Sequence, residues 1–102
     1  MQNKLFGMVL LGSAMLVTGT ADAGDLKLAH STWVGYGPFY IARDKGFFKD
    51  EGVNVELVIM EDTPIKMGAL LAGQIDLVAS TADEFPIYMK PGKMLRYVLA
   101  VD

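Results

Sequence analysis

The chain has 102 residues, is 52% hydrophobic and carries a net charge of −3. That mild acidity argues against a nucleic-acid partner, which requires a basic face. With no cysteine and a single histidine, the chain has neither a disulfide framework nor the ligands of a structural zinc site.

Residues 1–4 are short and carry one positive charge, and residues 5–17 are apolar apart from Gly and Ser. Residues 18–23 end in Ala21-Asp22-Ala23, a small-x-small cleavage signal. This is the order of an export signal. Its apolar core falls short of the about 20 residues that a membrane span needs, so cleavage after Ala23 is expected in preference to an uncleaved anchor. The mature chain then starts at Gly24 and works outside the cytoplasm. A small exported domain without disulfides either packs unusually well or is part of something larger.

Residues 25–29 (Asp-Leu-Lys-Leu-Ala) alternate polar and apolar, which predicts a strand. A loop of turn residues follows over 31–37. Pro38 suits a first helical turn, so 38–45 reads as a helix stopped at Gly46. Phe47 and Phe48 read as core that folds back. The charged turn at 49–52 precedes a Val- and Ile-rich strand over 53–60. Asp62-Thr63-Pro64 caps and opens a second helix that ends at Gly73. Residues 75–79 form a third, mostly apolar strand, as expected for one buried on both faces. Thr81 and Glu84 have capping-box spacing ahead of a third helix to about Met89; Pro86 weakens that helix. Pro91-Gly92 makes a turn, and 95–101 reads as a fourth strand.

The order βαβαβαβ with short connections predicts an α/β class with a parallel sheet, helices on its faces and right-handed crossovers. Ligands of such sheets bind beyond the carboxyl ends of the strands. The loops at that end are 31–37, 61–63 and 80–84, and each opens a helix. Their N–H groups point toward one crevice, which favours an anion or a polar acceptor.

The run Trp33-Val-Gly-Tyr-Gly-Pro-Phe-Tyr-Ile-Ala-Arg-Asp-Lys-Gly-Phe-Phe-Lys-Asp-Glu-Gly-Val-Asn-Val-Glu-Leu-Val58 resembles the first βαβ unit of one receptor family. That family is the periplasmic substrate-binding proteins of nitrate/sulfonate/taurine-type ABC importers. Its superfamily also includes receptors for thiamine pyrimidine precursors. Ala72-Gly-Gln-Ile-Asp-Leu-Val-Ala-Ser80 is similar to the family's entry to strand three. The resemblance spans residues 25–102. It implies the first part of lobe one of a two-lobed type II periplasmic-binding-protein fold, with the chain stopping inside that lobe as a piece of a longer receptor. It also implies a periplasmic location, a small-molecule ligand, docking on a membrane ABC permease, and a monomer when complete. No cofactor, metal or catalysis is implied, and no nucleophile–base pair stands out in the residues. A same-fold enzyme or a sensor domain remains the alternative.

The ligand-binding residues this implies are Ser31, Thr32, Trp33, Tyr36, Gly37, Thr63, Ser80 and Thr81. Hydroxyls and N–H groups at 31 and 32 could hold a sulfonate, nitrate or carboxylate oxygen, or simply cap turns. Trp33 and Tyr36 could wall a pocket and stack on a flat ligand, or pack against the next helix. Gly37 permits a close backbone approach or a plain turn. Capping alone accounts for Thr63 and Thr81, whereas Ser80, the last residue of its strand, is the foremost candidate for contact. Asp83 could meet an ammonium group, but acidic residues favour helix starts anyway. His30 reads as a hydrogen-bonded structural residue, the charges at 43–51 as a solvated face, and the scattered methionines as core fill.

Overall fold

The computed structural model describes residues 24–101. The export signal expected over residues 1–23 lies outside the described residues. Three strands, β1 (Asp25–His30), β2 (Asn54–Ile59) and β3 (Leu77–Ala79), form one parallel sheet in the order β2-β1-β3. The helices are α1 (Gly37–Asp44), α2 (Phe47–Asp50), α3 (Thr63–Leu71) and the single turn α4 (Phe85–Tyr88). The α/β class and the parallel sheet are those that the sequence predicts. No described helix is long and apolar enough to cross a membrane.

Strand register sorts the side chains into two layers. Leu28 aligns with Leu57 and Leu77, and Ala29 with Val58 and Val78. Successive side chains of a strand point to opposite faces. The first row therefore joins the core of Leu28, Tyr36, Val55 and Ala79, onto which Phe39 of α1 and Phe48 of α2 pack. The second row joins the core of Ala29, Ala69 and Ile75, with Leu70 of α3 and Val78 against it. The two crossovers thus lie on opposite faces of the sheet, and the strand order reverses at β1.

Local chemistry fixes the ends of α3. Asp62 Oδ1 accepts a hydrogen bond from the Ile65 N–H at 2.8 Å, satisfying one of the free donors of the first turn. Pro64 sits where no N–H is needed. Gly73 terminates the helix with φ at +74°, a conformation that strains any side chain. Asp62→Ala is expected to lower stability by about 1 kcal/mol, read as a shift in the urea midpoint.

Three sequence expectations are corrected. Phe48 packs on the core, but Phe47 is exposed. The third helix is one turn, and the capping box ahead of it does not form. The Glu84 N–H donates to the Thr81 carbonyl, while the Glu84 side chain turns to Ser80 and Thr63. Residues 95–101 form no strand. Residues 80–94 have the length of a parallel crossover, but such crossovers usually carry a substantial helix to pack on the sheet, and α4 supplies one turn. The segment instead lies along the open side of the sheet. Val101 reaches the core of Leu28. Tyr97 donates its hydroxyl to the Ala82 carbonyl at 2.8 Å and meets Phe85 edge to face. The turn expected at Pro91-Gly92 is present, closed by a 2.8 Å bond from the Lys93 N–H to the Lys90 carbonyl.

Candidate functional site

The carboxyl ends of β1 and β3 bound a switch point: one crossover leaves to the α1 face and the other returns from the α3 face. Loops diverge there and leave a crevice. A cavity of about 1230 Å³ opens at this end and along the α1 face, roofed by residues 94–101. Ser31, Trp33, Tyr36, Thr63, Ser80, Thr81 and Glu84 line its crevice part, while Leu28, Phe39, Phe48 and Leu77 line its apolar floor.

Six of the eight residues expected from sequence line this cavity. Thr32 stands beside it and is engaged elsewhere. Gly37 opens α1 and lines nothing. Trp33 is 48% exposed and meets the buried Tyr36 edge to face at 5.0 Å. Tyr36 stacks in turn on Phe39 at 5.9 Å. Burial, and then the charge of Glu84, push the Tyr36 hydroxyl above its ordinary pKa. The Trp33 ring lies directly over Gly35, where a Cβ would fall 1.9 Å from the ring. Gly35→Ala is therefore expected to displace the ring. Trp33 is the sole tryptophan, so a shift in the intrinsic emission maximum reads the displacement.

Three hydroxyls at the crevice, those of Thr32, Thr63 and Ser80, are held by two carboxylates. Glu61, just after β2, accepts from both the Thr32 N–H at 3.1 Å and the Thr32 hydroxyl. These two bonds, the hydroxyl's first, hold the Glu61 carboxyl below its usual pKa. Glu84 accepts from the Ser80 hydroxyl and from that of Thr63 at 3.3 Å. Within the field of both acids is Lys66 of α3, only 1% exposed, whose Nζ donates to the Ala79 carbonyl at the end of β3. Burial lowers the Lys66 pKa, against the opposing pull of Glu84 and Glu61.

His30 closes the back of the first loop and is 3% exposed. Its Nδ1 lies 2.8 Å from the Ser31 carbonyl and its Nε2 2.7 Å from the Tyr40 hydroxyl. A carbonyl can only accept, so Nδ1 carries a proton and donates to Ser31, while Nε2 pairs with the Tyr40 hydroxyl. Arg43 sits over the Tyr40 ring at 4.9 Å. His30 thus ties β1 to α1, the structural part read from sequence. Among the described residues, no group of three or more His, Cys, Asp or Glu could hold a metal ion.

A family model described as NMT1-like matches residues 19–102. The chain belongs to the NMT1-like family. This is a family of nitrate/sulfonate/taurine-type ABC substrate-binding proteins and thiamine-precursor binders, as the resemblance of residues 33–58 and 72–80 implies. It supports a substrate-binding role for this NMT1-like chain. No curated protein and no solved structure matches the chain.

Sequence reasoning missed Glu61, Lys66 and Glu84 as parts of this site. Glu84 was legible only as a local cap. Lys66 did leave a signal: it is the one charge inside the apolar helix Pro-Ile-Lys-Met-Gly-Ala-Leu-Leu. A charge in that position has to find a partner when buried.

Proposed function

We propose that the chain forms part of a periplasmic receptor that captures a small organic anion, of the sulfonate, taurine or nitrate kind, in a cleft between lobes. The receptor then delivers it to an ABC permease. Capture by lobe closure requires no catalysis. The observation that carries this reading is the convergence of three loops at the switch point. The loops after β1 and β2 open α1 and α3, whose first turns favour negative charge. The proposed ligand set is the six expected residues that line the cavity, Ser31, Trp33, Tyr36, Thr63, Ser80 and Thr81, with Glu84 beside them. Export follows from cleavage after Ala23, so the mature protein begins at Gly24.

A second reading, a thiamine pyrimidine precursor, is favoured by one observation: the half-exposed Trp33 ring at the cavity wall offers a face for a flat heterocycle. Calorimetric titration of the mature receptor with taurine, ethanesulfonate, nitrate and an aminopyrimidine separates the two. Saturable binding of the first group supports the anion reading. Binding of the heterocycle alone transfers the proposal to the second. Binding of none overturns both.

A further inference from the structure

We infer that Glu84 selects the ligand: its carboxylate, braced by Ser80 and Thr63, takes an N–H or ammonium group of the captured molecule. This rests on the receptor reading above and adds a second chemical requirement to its ligand, a hydrogen-bond donor beside the anionic or planar group.

The argument is a count of protons. A serine or threonine hydroxyl has one proton to donate and two lone pairs. Ser80 and Thr63 both spend theirs on Glu84, and Thr32 spends its own on Glu61. Two of the cavity's hydroxyls, those of Ser80 and Thr63, therefore show only lone pairs to the crevice, and that of Thr32 beside it has no proton to spare. Glu84 itself has acceptor positions beyond the two that Ser80 and Thr63 fill, since an ionised carboxylate offers about four. It lines the cavity together with Trp33 and Tyr36. The neighbouring cation Lys66 offsets part of the Glu84 charge from behind, but its Nζ is bonded to the Ala79 carbonyl and it does not line the cavity. A solute with no donor would bring its oxygens against lone pairs and an ionised carboxylate in a partly dry site, where an unpaired charge is costly. A solute with an amine or ring N–H meets a charge-assisted acceptor instead.

The test uses two matched pairs of probes on the intact receptor: taurine against ethanesulfonate, and 4-aminopyrimidine against 4-methylpyrimidine. The members of each pair differ in the donor group, which in taurine also carries a positive charge. For whichever pair binds, the amino member is expected to bind about tenfold or more tightly. In Glu84→Gln that ratio is expected to fall toward one, and Glu84→Asp is expected to retain part of it. A wild-type ratio near one overturns the inference even if Glu84→Gln fails to fold. So does an unchanged ratio in a folded Glu84→Gln protein, and in both cases the receptor reading survives because probes still bind. Failure of all four probes to bind the wild type overturns the receptor reading for these solutes, and this inference with it.

Discussion

Ala29→Leu is expected to lower stability by about 1–3 kcal/mol and to shift the start of α3. Ala29 is fully buried at the centre of the sheet and shares a core with Ala69 and Ile75. Small side chains on both sides let the helix lie close to the strands. Interiors are packed at crystal-like density, so three added carbons find no room and the helix must give. The displaced element carries Asp62, Thr63 and Lys66, so the damage extends to the crevice. Thermal unfolding checks the stability loss. The double variant Ala29→Leu with Ala69→Gly is expected to recover part of it, because neighbours in one core are not additive. Full additivity would mean that the two side chains do not share the constraint.

Lys66→Met is expected to lower stability by about 1–3 kcal/mol at neutral pH, because it keeps the bulk of the side chain but leaves the Ala79 carbonyl without its buried donor. It also removes the positive charge that Glu84 and Glu61 feel. The pH dependence has a defined sign. Burial holds the Lys66 pKa below its ordinary 10.5, so between the folded-state value and 10.5 the unfolded chain binds more protons. Stability contributed by Lys66 therefore rises with pH across that window, as its charge is discharged in place. The difference in unfolding free energy between wild type and Lys66→Met should widen as the pH rises toward 10.5. A constant difference would show that Lys66 is solvated in the folded chain.

Much of the fold is legible in the sequence because its cues are local. Asp62, Pro64 and Gly73 bracket α3 through bonds and dihedral preferences within a few residues. The alternation Asp-Leu-Lys-Leu-Ala sets β1 in the same way. The site is less legible because its bonds cross the chain. Thr81 and Glu84 satisfy a local capping rule, yet the Glu84 carboxylate goes to Thr63, 21 positions away, once the parallel sheet brings β3 beside the start of α3. Thr32 and Glu61 are 29 positions apart and meet only because β1 and β2 pair in register. Residues 95–101 show the converse: an apolar run records a need for burial but names no partner. Val101 finds its burial without a ladder, and Val98 finds none.

The ring of His30 offers a spectroscopic window on the crevice. It is the only imidazole in the chain, so its nitrogen and ring-proton resonances need no assignment. One ring nitrogen is tethered to the carbonyl of Ser31, the first residue of the β1 loop, and the other to a hydroxyl of α1. A solute that draws on Ser31 alters the hydrogen bond at Nδ1, and a movement of α1 alters the one at Nε2. The two chemical shifts then report, separately and in one spectrum, ligand contact and helix movement.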